Sequence, residues 1–305
     1  MKRKVIQLAH KTLVVSLPSK WAKTYEVKKG AELEVEERGQ QIIFSTSKHS
    51  ASERIQLDIT ELDIDILRRR LLSSLYKTGY DEVELMYKDT KVLSAIQENI
   101  NDMLIGFVVV EQGKNRCVLR VVAEEQEKEF ENMLRRAFLV TKNLGESLYT
   151  YIKEGKLNQL HDLLSLEKTN NQLINFCERV LNKRGFKDDN KRCFVYVVAW
   201  NLEKIADDFR DLCKILASEP KSKVSKQSLE LLKETTNYFT KYYEIYYTFD
   251  INKASELNKG GKELERRIVN LLKISKGTDT LLLTTLKDVV TKTSDFTASF
   301  IALNM

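Results

Sequence analysis

The stretch VVAWNLEKIADDFRDLCKILA, residues 197–217, decides how most of the chain is predicted to fold. Its apolar residues recur at alternating steps of four and three, which is the spacing of a helix that packs along one stripe. The stripe consists of Val198, Leu202, Ile205, Phe209, Leu212 and Leu216. Because the side chains of a strand repeat every two residues instead, the stretch predicts one long helix with a single apolar seam.

Helical periodicity continues on both sides of this stretch. It predicts six helices in all, at about 124–154, 156–183, 190–217, 222–249, 251–275 and 278–303. Pro220 separates them into two groups of three. Because the helix lengths in the two groups are similar, residues 124–303 are interpreted as an all-α bundle of two three-helix repeats, about 124–219 and 222–303.

Residues 53–122 have the pattern of a small α/β module. Short runs rich in β-branched residues predict strands at 54–59, 82–87, 107–111 and 117–122. Apolar residues at helical spacing predict helices at 64–77 and 92–104. The order β-α-β-α-β-β is typical of a sheet with helices on one face.

The first 48 residues predict a third domain made mostly of strands. Strands are expected at 4–8, 12–17, 31–36 and 41–45, with a short helix at 20–24 after Pro18 and a polar linker at 45–52. The whole chain is therefore predicted to be a multidomain α+β protein.

Positive charge is concentrated in this first domain. The chain has 50 Lys and Arg and 44 Asp and Glu, a net charge of +6. Residues 1–30 hold eight of the basic residues and one acid, Glu26, so this segment alone carries +7. Such a concentration on a folded segment indicates a polyanion partner, and the alternative is a solvated face with no partner.

The segment KRKVIQLAHKTLVVSLPSKWAKTYEVKKGAELEVE, followed by QQIIF, resembles the AbrB/MazE/SpoVT family of swapped-hairpin DNA-binding domains over residues 2–46. The resemblance implies a homodimer in which two chains interleave their hairpins into one β-barrel. It also implies DNA contacts by basic residues of the first strand, the first loop and the short helix. The matching positions are Lys2, Arg3, Lys4, His10, Lys11, Lys20 and Lys23. Lys23 stands where the family often has arginine, and lysine suits phosphate better than base edges, so modest sequence specificity is expected.

The helical part, about 124–303, resembles PhoU, a regulator of phosphate signalling built from two three-helix repeats. The resemblance rests mainly on NLEKIADDFRDL, residues 201–212, where Glu203 and Asp207 fill an E/D-x-x-x-D motif. In PhoU proteins this motif is implicated in metal binding, so a cation such as Mg²⁺, Mn²⁺ or iron is implied on the surface of the first repeat. The corresponding positions of the second repeat are Val290 and Ser294. The alternative is an acidic face neutralised by nearby basic side chains.

Together the domains resemble archaeal PhoU-type regulators. The resemblance implies a cytoplasmic, DNA-binding regulator of phosphate uptake and homeostasis. A different class, an adaptor that does not bind DNA and instead regulates a phosphate transporter or a sensor protein, stays open. An enzyme is not expected, because the sequence has no HExxH, GxGxxG or Walker-type motif. The four cysteines, which lack CxxC spacing, are expected to be buried free thiols: Cys117, Cys177, Cys193 and Cys213. No apolar run is long enough to predict a membrane span.

Overall fold

The computed structural model describes residues 1–8, 11–38, 40–46, 53–122 and 129–305, and it shows a mixed α+β protein. The chain divides into two compact units, Met1–Glu53 and Arg54–Met305. The second unit contains both the α/β module and the helices. None of the helices in the described residues has the length and apolarity needed to cross a bilayer.

The first unit consists of two hairpins and a short helix. Its elements are β1 (Ile6–Leu8), β2 (Thr12–Val14), α1 (Ser19–Thr24), β3 (Leu33–Arg38) and β4 (Gln41–Thr46). β1 pairs with β2, and β3 pairs with β4, both antiparallel, so the described residues form two separate two-stranded sheets. The predicted order of elements is confirmed, although β2 ends three residues earlier than predicted. Residues 47–52 of the predicted linker lie outside the described residues.

The first unit leaves its apolar side chains in solvent. No described residue of Met1–Glu53 is buried. Several large apolar residues are more than half exposed: Val5, Ile6, Leu8, Leu13, Val35 and Ile42. A module of this size buries little apolar surface by itself, and a set of exposed apolar side chains is typical of an interaction surface.

The α/β module begins the second unit. Its elements are β5 (Arg54–Asp58), α2 (Ile64–Ile66), a π turn (Leu67–Leu71), α3 (Leu72–Thr78), β6 (Glu82–Met86), α4 (Val92–Met103), β7 (Phe107–Gln112) and β8 (Arg116–Val121). The sheet order is β5-β6-β8-β7, with β5 and β6 parallel and the other pairs antiparallel. Alternate residues of β6, Val83 and Leu85, pack with α3 and α4, so the helices cover one face as predicted.

Within residues 129–305, which the structure describes, six α-helices lie close to the positions that the periodicity predicts. They are α5 (Phe130–Lys153), α6 (Leu164–Arg184), α7 (Arg192–Ser218), α8 (Lys226–Tyr247), α9 (Ile251–Leu272) and α10 (Thr278–Asn304). The second predicted helix starts with a 3₁₀ stretch, Leu157–Leu163, before α6. Helices α5, α6 and α7 contact one another, and so do α8, α9 and α10. The two groups meet where α5 packs on α8 and where α7 packs on α10.

Helix α6 joins the bundle to the α/β module, and it does so with polar side chains. Arg179 is completely buried, and its guanidinium donates to the carbonyl oxygens of Tyr76 and Tyr80, both at 2.8 Å, and to Asp81 Oδ1, also at 2.8 Å. The guanidinium also lies over the rings of Tyr76 and Phe107, 4.9 and 5.7 Å from their centroids. A second cation, Lys183, pairs with the same carboxylate.

Three amides of α6 extend this contact to the ends of α3 and α4. Asn182 donates to the carbonyl oxygen of Lys77 at 2.8 Å. Asn175 and Gln172 donate to the carbonyl oxygens of Met103 and Asn101, at 3.0 and 2.5 Å. The last carbonyls of a helix have no partner within the helix. The polar face of α6 therefore supplies donors to the C-terminal ends of both module helices.

We expect Arg179→Met to lower the free energy of unfolding by about 3–5 kcal/mol, because it leaves buried carbonyls and part of a buried ion pair without their donor. Urea denaturation followed by circular dichroism measures the change. Arg266→Met, which removes an exposed arginine paired with Glu263, is the matched control and should lower the free energy of unfolding far less. Equal losses in the two variants would show that the buried arginine does not hold the module on the bundle.

Candidate nucleic-acid interface and carboxylate face

The basic residues predicted to contact DNA lie at the surface of the first unit. Lys2, Arg3 and Lys4 precede β1 in an irregular stretch, and Lys11 lies in the turn between β1 and β2. All four are exposed. His10, the remaining loop residue of the prediction, lies outside the described residues.

Helix α1 carries the other two predicted contacts. Lys20 and Lys23 are exposed and three residues apart, so they share one side of the helix. Trp21 lies between them in sequence and is half-buried, with its ring 5.5 Å from that of Tyr25. The aromatic pair lies on the other side of the helix from the two lysines. What this surface offers is a set of solvated ammonium groups, which suit the phosphates of a nucleic acid.

The predicted metal ligands, Glu203 and Asp207, lie one turn apart on α7 and are already paired with cations. Lys204 Nζ lies 3.2 Å from Glu203 Oε1 and 3.0 Å from Asp207 Oδ2. Arg210 donates to Asp207 Oδ1 and, at 2.7 Å, to Glu167 Oε1 on α6. The two acids and two bases form an alternating ion-pair row along one side of α7.

The sequence predicts that this side of α7 is surface rather than core, and the structure leaves it partly exposed. The side chains of Glu203 and Asp207 are only 17% and 23% exposed, because α6 packs alongside α7 and its Glu167 reaches Arg210. Among the described residues, nothing donates a hydrogen bond to Glu203 Oε2, which is buried. One carboxylate oxygen of the motif thus faces the interior without a donor.

A third acid, Glu178 of α6, belongs to the same neighbourhood and was not predicted from the sequence. It is completely buried, and its Oε2 lies 3.1 Å from Lys77 Nζ. Burial raises the pKa of Glu178, the nearby charge of Glu203 raises it further, and Lys77 opposes both effects. Burial and the charge of Glu178 also raise the pKa of Tyr196 to about 12. The sequence signal was available: Glu178 and Arg179 interrupt the apolar run FCERVL, residues 176–181.

The described residues contain no group of three or more His, Cys, Asp or Glu side chains able to hold a metal ion. In the second group of helices, Val290 is buried and Ser294 Oγ lies 2.8 Å from the Tyr238 hydroxyl, so neither offers a ligand. A cation at Glu203 and Asp207 would have to compete with Lys204 and Arg210 for the same oxygens.

One cysteine also departs from its prediction. Cys117, Cys177 and Cys213 are buried, but Cys193 is exposed. Cys193 lies in the first turn of α7, on the side opposite the seam residues Val195 and Val198 that face the core. An apolar helical pattern places only one side of a helix in the core.

No protein-family model, no curated protein and no solved structure was found to match the chain.

The raised pKa of Glu178 predicts a pH dependence. The folded state holds this proton to a higher pH than the unfolded chain, so the contribution of Glu178 to stability falls as pH rises above its ordinary pKa of 4.5. We therefore expect the free energy of unfolding of Glu178→Gln, measured in urea, to rise relative to that of the parent as the pH increases from 4.5 to 7.5. Glu263→Gln is the control, because Arg266 lowers the pKa of the exposed Glu263 and the sign should reverse. If the free energy of unfolding of Glu178→Gln falls relative to that of the parent as pH rises, the buried acid is stabilised as an anion instead.

Proposed function

We propose that this chain is a non-enzymatic, DNA-binding regulator of phosphate uptake and homeostasis, in which an AbrB-type DNA-binding domain is followed in the sequence by PhoU-like helices. One observation carries the proposal: residues 1–30 have a charge of +7, and all six described residues that match the family's DNA contacts are exposed. A folded segment with this much solvated positive charge attracts a polyanion over several ångströms.

The exposed apolar residues of the first unit support the homodimer that the proposal requires. Among the described residues of the first unit, the β1–β2 and β3–β4 hairpins do not pair with each other, and Ile6, Leu13 and Ile42 are each more than half exposed. In an interleaved dimer, the hairpins of a second copy cover these side chains and complete the barrel. The dimer also doubles the number of basic residues that one DNA duplex meets.

The chemistry of the basic residues sets the expected mode of binding. Five of the six described residues that are predicted to contact DNA are lysines. Lysine acts as a point charge toward phosphate and does not form the paired hydrogen bonds that arginine makes to guanine. Affinity then comes mostly from counterion release and depends steeply on salt. Sequence specificity is modest and depends on the shape of the dimer.

The link to phosphate regulation rests on the helical region. Its six helices pack as two groups of three that meet through α5–α8 and α7–α10, an arrangement that supports the two-repeat interpretation. The motif at Glu203 and Asp207 lies in the first group. We propose that these helices receive the phosphate signal in the cytoplasm and that the first unit passes it to DNA.

A cation at Glu203 and Asp207 is a separate part of the proposal. Glu203 Oε2, buried without a donor, supports it, because a cation can satisfy an oxygen that no described side chain reaches. The chemistry of the donors, two carboxylates one helical turn apart, favours a hard ion such as Mg²⁺, Mn²⁺ or ferric iron.

We expect Mg²⁺, Mn²⁺ or Fe³⁺ to raise the thermal midpoint of the parent in proportion to occupancy, since a ligand that binds only the folded state stabilises it. The Glu203→Gln, Asp207→Asn variant should keep its helical circular dichroism and lose this response. Asp288→Asn, an exposed acid outside the motif, should respond like the parent. Should the parent not respond, or respond no more than the double variant, Lys204 and Arg210 neutralise these acids and no cation belongs there.

The DNA-binding proposal is tested by changing Lys2, Arg3, Lys4 and Lys11 together to glutamine. We expect binding to duplexes of any sequence to weaken at least tenfold in 100 mM salt, and the slope of log affinity against log salt to flatten as phosphate contacts are lost. Fluorescence anisotropy with a labelled duplex measures both. The control changes four lysines of the helical region to glutamine and so has the same net charge as the first variant: Lys187, Lys221, Lys223 and Lys276. It should bind DNA like the parent. If the two variants bind equally well, the basic segment does not bind DNA, and the adaptor function becomes the better account.

A further inference from the structure

A long groove runs between α8 and α9, in the second group of helices. It consists of two adjoining hollows of about 650 and about 470 Å³. Arg267 lines both, and its guanidinium bridges the groove to Glu234 with hydrogen bonds of 2.5 and 2.7 Å. The hollows extend from the loop between the two helices to their far ends, so the groove follows most of the length of both.

The residues that line the groove repeat every seven positions on both helices. Its apolar floor consists of Leu231, Tyr238 and Ile245 on α8 and of Leu257, Leu264 and Leu271 on α9. Charged and polar residues flank the floor at the same spacing. A seven-residue repeat is the pattern with which helices of a bundle face one another. The groove therefore has the form of a two-helix surface that accepts a third helix.

Gly260 lies in the middle of the groove, and the fold of the chain does not require a glycine there. At the next residue, Gly261, an added Cβ would lie 2.1 Å from the Tyr238 hydroxyl oxygen, so that glycine is needed for packing. At Gly260 an added Cβ would meet nothing within 4 Å. Although glycine weakens a helix interior relative to alanine, a bare glycine facing a groove leaves room for the close approach of a backbone from outside the chain.

The charge of the groove selects among possible occupants. Its lining holds five glutamates, Glu230, Glu234, Glu244, Glu256 and Glu263, against three basic residues, Lys241, Lys253 and Arg267. Arg266, beside the lining, pairs with Glu263, so the groove together with this neighbour is net negative, at −1, in a chain whose net charge is +6. Two copies facing each other would bring two negative surfaces together. A helix with an apolar stripe flanked by lysine or arginine meets no such repulsion.

We propose that the α8–α9 groove binds a basic amphipathic helix of a partner protein, with the partner's backbone passing close to Gly260. This inference does not depend on DNA binding or on a cation at Glu203 and Asp207. It adds a protein-recognition surface on the second group of helices.

The probe is a fluorescein-labelled 21-residue peptide with leucine at the a and d positions of three heptads, lysine at e and g, and alanine elsewhere. A second peptide has glutamate in place of every lysine. Fluorescence anisotropy with the full chain should show the lysine peptide binding at least tenfold more tightly than the glutamate peptide. Equal binding of the two would overturn the charge argument and with it the proposal.

Gly260→Leu locates the binding site. Leucine favours a helix and meets open space here, so the thermal midpoint should rise while affinity for the lysine peptide falls at least fivefold. Ser255→Leu, on the same helix but outside the groove lining, is the matched control and should bind within twofold of the parent. Unchanged binding by Gly260→Leu contradicts the proposal. A difference in mass between Gly260→Leu and the parent, measured by sedimentation, also contradicts it, because the groove would then join two copies of the chain.

Discussion

The buried guanidinium of Arg179 is the contact on which the arrangement of the second unit depends. Two hydrophobic cores lie on either side of it, one between the sheet and its helices and one within the bundle. Between them, α6 offers a polar face, and twelve of its 21 residues are buried. A charged group in such a place is tolerated only when its donors are satisfied, and Arg179 has two carbonyls, a carboxylate and two aromatic rings.

The same helix connects this interface to the acidic row of α7. Lys77, at the end of α3, pairs with Glu178 of α6, and the charge of Glu203 on α7 acts on that acid. Glu167, near the start of α6, shares Arg210 with Asp207. The predicted metal ligands are therefore part of a charge network that extends to the α/β module. A change in charge at Glu203 would alter the electrostatic environment of the Lys77–Glu178 pair, which links the α/β module to the bundle.

The sequence predicted the elements well and the charged interior poorly. Helical periodicity identified all six bundle helices, because a seam such as Val198, Leu202 and Ile205 records which side faces the core. It could not show that Glu178 and Arg179 are buried, since a residue's partners on other elements leave no periodic trace. For the same reason it could not show how far α6 covers Glu203 and Asp207. Cys193 is a different case, because it was expected to be buried although it lies opposite the seam of α7. In the first unit the order of elements was predictable, but the proposed barrel needs a second chain, and a single sequence cannot reveal contacts between chains.

The proposed function depends on the first unit, whose exposed lysines and exposed apolar residues both favour partners outside the chain. The most direct test is genome-wide mapping of DNA bound by the tagged full chain in its own cell, with phosphate in excess and with phosphate limiting. The account predicts fragments enriched above an untagged control, with an occupancy that changes with phosphate supply. Recovery of DNA no different from that control under both conditions would contradict it.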